Sequence, residues 1–150
     1  MSLILVSARE RDPIVLRHLM ELYRYDFSEL DGSDVGEGGE FGYRYLDAYW
    51  TESERHAFLF QVERRWAGFA LVRSGAPHDL AEFFVMRKYR RRGIGRSAAQ
   101  EVFRRFPGRW QVRQRSYNPA ATTFWREAIP APYTETVTDD EVTQEFEWRS

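Results

Sequence analysis

Residues 80–106, LAEFFVMRKYRRRGIGRSAAQEVFRRF, join a strand to a helix with a short basic turn between them. Leu80–Met86 is an apolar run of strand length. From Gly93 onward the period changes. Ile94, Ala98, Ala99, Val102, Phe103 and Phe106 fall on one helical face, and Arg96, Gln100, Glu101, Arg104 and Arg105 on the other. Pro107-Gly108 stops that helix. The turn carries Arg87, Lys88, Arg90, Arg91, Arg92 and, just inside the helix, Arg96: six positive charges in ten residues, interrupted by Gly93 and Gly95.

The rest of the chain arranges itself around this junction. Ile4–Ser7 reads as a first strand, and Asp12-Pro13 as an N-cap with an N1 proline. The helix they open runs to about Phe27 with Leu16, Leu19, Met20, Tyr23 and Phe27 as its core stripe. Residues 28–42 hold five of the ten glycines and five acids, which predicts a loop. Tyr43, Tyr45, Tyr49 and Trp50 follow in a short second helix. Ala57–Val62 and Trp66–Arg73 form a hairpin across a polar turn. His78 and Asp79 read as turn residues. After the long helix come a strand at Trp110–Arg115, a helix at Pro119–Ala128 burying Phe124 and Trp125, and a last hairpin about Asp139-Asp140. The order β-α-α-β-β-β-α-β-α-β-β is that of a mixed α/β sheet domain.

Composition narrows the function. The 150 residues are 43% hydrophobic and 30% charged, enough for a folded globule with a wet surface. No cysteine is present, so disulfides, thiolate metal sites and cysteine nucleophiles are excluded together. His18, His56 and His78 stand apart with no ligand spacing, so no metal is expected. The opening MSLILVSARERD has too short an apolar run for a signal peptide or a membrane span, which makes the cytoplasm the expected compartment and a membrane partner unexpected. Net charge is −1, so the basic turn is a local feature; a nucleic-acid partner, which that turn alone would suggest, would more often go with a basic chain.

The physics of residues 85–96 favours an anion. The first turn of a helix has backbone N–H groups without internal partners and the positive end of the helix dipole. A phosphate or pyrophosphate satisfies several of those donors at once. No GxxxxGK[ST] string occurs, and Gly93-x-Gly95 alone is a weak dinucleotide fingerprint in a chain too short for that fold.

Arg90-Arg91-Arg92-Gly93-Ile94-Gly95 does match the R/Q-x-x-G-x-G/A signature of the GCN5-related N-acetyltransferases (GNAT superfamily). Val85-Met86-Arg87-Lys88-Tyr89-Arg90-Arg91-Arg92-Gly93-Ile94-Gly95 resembles that family's V-x-P-x-Y-R-x-x-G-I-G with only the proline missing. Asn118-Pro119-Ala120-Ala121-Thr122-Thr123-Phe124-Trp125 is similar to its N-x-x-A-x-x-(L/F)-Y. The resemblance implies one GNAT-like α/β domain over residues 1–150, with a central mixed, mostly antiparallel twisted sheet flanked by helices. It implies acetyl-CoA as cofactor. The pyrophosphate would lie on Arg91, Arg92, Gly93, Ile94, Gly95 and Arg96, the pantetheine arm along Phe83, Phe84 and Val85, and Asn118 would touch the cofactor. Members of the family often form dimers, so the resemblance leaves a homodimer open, though the sequence itself does not show the oligomeric state.

Acetyl transfer to a primary amine by direct attack on the thioester needs a base or a water chain, an oxyanion donor and, for the leaving thiolate, an acid. Glu82 is the candidate base, on the cofactor strand and in apolar surroundings that raise a carboxyl pKa. A backbone N–H near Val85 is the oxyanion donor by resemblance. The family's acid is a tyrosine where this chain has Trp125, whose indole cannot protonate a thiolate, so that role is empty or moved. The acceptor, a small-molecule amine or a peptide, would be walled by Tyr25, Tyr43 and Tyr45, with Tyr23, Tyr49 and Trp50 beside them and Asp26, Glu29 and Asp47 as cation partners. These tyrosines equally suit a core. The glycine-acid loop at 28–42 could close over the site as a lid. A non-catalytic acyl-CoA-binding module on the same fold is the alternative that the missing tyrosine leaves open.

Overall fold

The computed structural model describes residues 2–149 and follows that element order with one seven-stranded sheet. The strands are β1 (Leu3–Ser7), β2 (Arg55–Val62), β3 (Arg65–Arg73), β4 (His78–Val85), β5 (Gly108–Arg115), β6 (Tyr133–Val137) and β7 (Glu141–Trp148), lying in the order β1-β2-β3-β4-β5-β7-β6. Every neighbouring pair is antiparallel except β4 and β5. His78 and Asp79 are therefore the first residues of a strand, not of a turn. Asp79 is buried there and pairs with Arg113 of β5 at 3.0 Å.

Helix α1 (Pro13–Asp31) runs one turn beyond the expected end at Phe27. The Asp12 side chain accepts the Ile14 N–H at 2.9 Å, Pro13 supplies a preset φ, and Gly32 in the left-handed region (φ 74°) closes the far end. A short α2 (Ala48–Thr51) follows the loop. Both helices pack on one sheet face, where Leu16, Leu19, Met20 and Tyr49 meet Leu59, Phe69 and Leu71. Helices α3 (Ile94–Arg105) and α4 (Pro119–Ala128) cover the other face, where Ala98, Val102, Phe103 and Trp125 meet Phe60, Ala70 and Trp110. Because strand side chains alternate, consecutive residues of β2 and β3 feed opposite cores.

Two irregularities position the site. Strands β4 and β5 pair only at His78–Leu80 with Trp110–Val112. Beyond that β4 stays with β3 and β5 stays with β7, so the sheet forks at the carboxyl ends of its one parallel pair. That is where open α/β sheets bind ligands. The second irregularity is a β-bulge: Leu71 opposes Glu82 while Val72 opposes Leu80, leaving Ala81 as an extra residue. Without it, period two would put Glu82 on the α3–α4 face with Leu80. The bulge turns Glu82 to the α1 face instead.

Candidate functional site

The fork opens into two clefts that meet beside Phe83. One, of about 960 Å³, runs from Tyr23 along β4 to the start of α3, with Arg90, Arg91, Gly93 and Arg96 at that end. The other, of about 480 Å³, lies over β4 and β5 around Glu82, with Tyr43, Arg113 and Gln114 on its walls.

The first cleft ends on a helix start built to leave donors free. Gly93 sits at φ 76°, a left-handed conformation that costs a side-chain-bearing residue about 1 kcal/mol or more, and no side chain caps α3. The first helical hydrogen bond is Ser97 N–H to the Gly93 carbonyl at 3.0 Å, so the N–H groups of Ile94, Gly95 and Arg96 precede it. Arg91 also has positive φ, 62°, a costly conformation for arginine that curls the loop. Helix α4 differs: Asn118 Oδ1 accepts the Ala121 N–H at 3.2 Å and caps its own helix.

The basic cluster divides by role. Arg87 and Arg90 both bind Asp26 of α1, Arg90 at 2.7 Å, and Arg90 Nε donates to the Val85 carbonyl at 2.8 Å. Burial pushes the Asp26 carboxyl up, but the hydrogen bonds from Arg90 and Arg87 outweigh it and hold the group below the usual range. Those two arginines tie the loop to α1. Among the described residues Arg91, Arg92 and Arg96 have no carboxylate partner, and Arg91 and Arg96 face the cleft.

At the other cleft Glu82 accepts two hydroxyls: Tyr23 donates to Oε1 at 2.7 Å and Tyr43 to Oε2 at 3.1 Å. Burial raises the Glu82 carboxyl above its ordinary value; the two tyrosine hydrogen bonds and Arg24 pull against it, and Asp79 adds to it. Both phenols are held well above 10, by burial first and by the Glu82 charge second, so they stay protonated and donate. Tyr43 reaches this point through a clamp that the sequence did not reveal. Glu21 of α1 accepts the N–H groups of Phe41 and Gly42, each at 2.7 Å, while Arg24 one turn on donates to the Gly42 carbonyl at 2.9 Å. The loop is thereby pinned one residue before Tyr43.

The expected site residues divide accordingly. Phe83, Phe84, Val85, Arg91, Gly93, Gly95, Arg96 and Asn118 line the first cleft, and Glu82, Phe83, Tyr43 and Asn118 line the second. Arg92 is exposed and lines neither; the Ile94 side chain is buried in the core, leaving only its backbone toward the loop. Tyr25 and Tyr45 are not brought to the site. Two residues along a helix turn the side chain about 200°, so Tyr25 points away from Tyr23 and is 68% exposed. Tyr45 is 47% exposed and packs on Tyr43 and Arg55. Tyr49 is core. Of the expected cation partners, Asp26 is taken by arginines, Glu29 lies on the first cleft and Asp47 lines neither. Trp125 is buried at the meeting of the clefts with its ring edge-on to Phe83, centroids 4.9 Å apart. Gly95 has a packing reason as well: a Cβ there would meet the Phe124 ring at 3.1 Å, so the missing side chain admits α4 to α3.

Comparison with known proteins agrees with this architecture. An acetyltransferase of Thermus thermophilus superposes with a TM-score of 0.78 at 18% identity, over 99% of this chain and 98% of that one. The N-acetyltransferase PseH of Campylobacter jejuni, solved with acetyl coenzyme A, gives 0.67 at 13% identity over 99% and 100%. The spermidine N-acetyltransferase of Vibrio cholerae, solved with CoA and spermine, gives 0.67 at 11% over 97% and 95%. No curated protein sequence matches the chain. Residues 16–129 match the family described as "Acetyltransferase (GNAT) family", which is most of the chain. The chain belongs to the GNAT family of acetyltransferases, whose acetyl donor is acetyl-CoA.

Proposed function

We propose that this enzyme acetylates the primary amine of a small molecule or peptide, holding acetyl-CoA in the cleft between β4 and α3 and the amine in the cleft around Glu82. The observation that carries the reading is the forked sheet, with an uncapped, arginine-flanked helix start at one end and a buried carboxylate at the other.

The residues present fit the cofactor. The N–H groups of Ile94, Gly95 and Arg96 have no side-chain acceptor and suit a diphosphate, with Arg91 and Arg96 adding charge-assisted bonds. The edge of β4 beyond Leu80 is unpaired on its β5 side and suits an extended pantetheine amide chain. Acetyl-CoA supplies an activated acetyl group on a sulfur leaving group. Glu82 takes the proton from the acceptor amine, and its raised pKa brings it closer to neutral, where a general base works best. Tyr23 and Tyr43 fix both carboxylate oxygens, so the base is oriented before the amine arrives. Met86 N–H is already used by the Ala67 carbonyl at 2.8 Å, which leaves the N–H groups nearer the fork to hold the developing oxyanion.

Acetyl-CoA should raise the melting temperature of the wild type through ligand linkage. Gly93→Glu, which puts a carboxylate at the diphosphate position, should remove that rise. No shift in the wild type at millimolar acetyl-CoA would refute the cofactor placement. Free-thiol release across a panel of amines and N-terminal peptides then identifies the acceptor; release with none of them would refute the amine reading. Sedimentation tests the homodimer that we also propose.

A further inference from the structure

Six residues line both clefts and so stand where they meet: Tyr23, Phe27, Phe83, Asn118, Ala121 and Trp125. Tyr23 is the one among them with a hydroxyl. Asn118 has spent its carbonyl oxygen on the cap of α4, and neither an amide nor an indole N–H is acidic enough to protonate a thiolate at neutral pH. The Tyr23 ring is fixed by Phe69 edge-on at 5.6 Å and by Phe84 at 5.5 Å, with Phe27 on the side toward Tyr117. Its hydroxyl is hydrogen-bonded to Glu82 at 2.7 Å.

We propose that Tyr23 is the catalytic acid of this enzyme, in the place of a phenol that α4, whose hydroxyls are those of Thr122 and Thr123, does not supply, and that it works as one relay with Glu82. This rests on the cofactor and acceptor placements above. The acceptor amine loses one proton to a Glu82 carboxylate oxygen as its nitrogen bonds to the acetyl carbon. The carbon–sulfur bond breaks and the sulfur keeps the electron pair. Tyr23 gives its hydroxyl proton to that sulfur, and the proton on Glu82 passes along the hydrogen bond to the Tyr23 oxygen. The products are the amide and a free thiol; Glu82 and Tyr23 return to their starting states, and no further reactant is needed. The relay is self-timed. While Glu82 is charged, burial first and then the Glu82 charge and hydrogen bond hold the proton on Tyr23; once Glu82 takes a proton, the part of that hold due to its charge is released. The charged and titratable groups around Tyr23 are Glu82 of β4, Tyr43 of the loop and Arg24 of α1.

The test is a binding measurement. Coenzyme A and its desulfo analogue differ at the sulfur that Tyr23 addresses. Calorimetry should show wild type preferring coenzyme A by about three- to tenfold, the worth of one hydrogen bond. Tyr23→Phe should abolish the preference while still binding both, and Tyr43→Phe should keep it. In the wild type the Tyr23 Cζ NMR resonance should move more with coenzyme A than with the analogue, a readout that needs no variant. Equal affinities in wild type, or a preference that survives Tyr23→Phe, would overturn the relay and leave the cofactor site standing. Binding of neither compound would overturn both.

Discussion

The Tyr23 hydroxyl and the Glu82 carboxylate meet at 2.7 Å, a bond that joins α1 to β4 where the two clefts run together. Burial raises the Glu82 carboxyl, so the acid limb of kcat/KM should inflect above the ordinary glutamate range. Glu82→Gln should lower kcat/KM by about 10²–10⁴-fold and remove that limb. Tyr43→Phe deletes a donor that favours the charged carboxylate, so the limb should move to higher pH. The same shift has a stability sign. The folded state binds the Glu82 proton more tightly than the unfolded chain, so the contribution is present at low pH and lost as pH rises through the folded pKa. The melting temperature of Glu82→Gln should therefore gain on wild type as pH rises from the ordinary glutamate range through the raised folded pKa.

Glu21 reaches Glu82 only through the loop. It holds the N–H groups of Phe41 and Gly42, each at 2.7 Å, and those bonds set where Tyr43 begins. Glu21→Ala should cost about 1–3 kcal/mol, since hydrogen bonds to a charged acceptor are lost and two N–H groups are left without it. It should also move the acid limb the way Tyr43→Phe does, by freeing the Tyr43 hydroxyl from the carboxylate. A pH–rate profile identical to wild type would show that Tyr43 holds its place without the clamp.

Gly93 and Gly95 read alike in the sequence and act differently. At Gly93 an added Cβ meets nothing within 4 Å, but φ is 76°, so Gly93→Ala should cost about 1 kcal/mol of backbone strain. At Gly95 the backbone is helical, and alanine gains about 1 kcal/mol of helix propensity. Its Cβ would press on Phe124 at 3.1 Å, and that ring lines the first cleft. The two effects offset in stability but not in binding. Denaturant unfolding should detect Gly93→Ala and barely register Gly95→Ala, while acetyl-CoA titration should show weaker binding for Gly95→Ala.

These residues also mark what the sequence could reveal. The element order was legible because apolar period changes sharply from two to 3.6 at Gly93, and because Asp12-Pro13 and Asn118-Pro119 announce their helices. Bounds erred where a signal was polar: α1 continued to Asp31 through residues that looked like loop, and β4 began at His78. The bulge at Ala81 left no trace, since one extra residue does not alter composition, yet it decides which face Glu82 occupies. Asp26 and Glu21 read as two acids among many. Only folding shows that one gathers Arg87 and Arg90 and the other holds a loop. Helical spacing did separate Tyr23 from Tyr25, but nothing in it says that the inner one meets a carboxylate.

Gly68 supports the site from below. A Cβ at this position would lie 1.9 Å from the Phe84 carbonyl oxygen, a backbone atom that cannot step aside without moving β4. Gly68→Ala should therefore destabilise by about 3 kcal/mol or more, the upper range for overpacking. Any folded remainder should bind acetyl-CoA more weakly, because the displaced strand is the proposed cofactor edge. Denaturant midpoints and a titration on the same sample check both.

A buried amide pair links the cleft around Glu82 to the last hairpin. Gln114, on the cleft wall, donates to Gln144 at 2.7 Å, and Gln144 donates back at 3.1 Å and to Glu135 at 2.8 Å. Arg126 of α4 donates to both Glu135 oxygens, at 2.9 and 2.8 Å, sharing Oε1 with Gln144, and these hydrogen bonds, Arg126's first, drive the Glu135 carboxyl down to about 2. Gln144→Leu leaves the Gln114 amide buried without its partner, so it should cost about 1–3 kcal/mol. Gln114→Leu should cost a similar amount. The double variant removes both amides and leaves no orphan in the pair, so its loss should be smaller than the sum of the two singles by about 0.5 kcal/mol or more, the least expected of coupled neighbours. A strictly additive cycle by denaturant unfolding would mean that each amide finds water in the other's absence, and that the cleft wall is wetter at Gln114 than its 5% exposure implies.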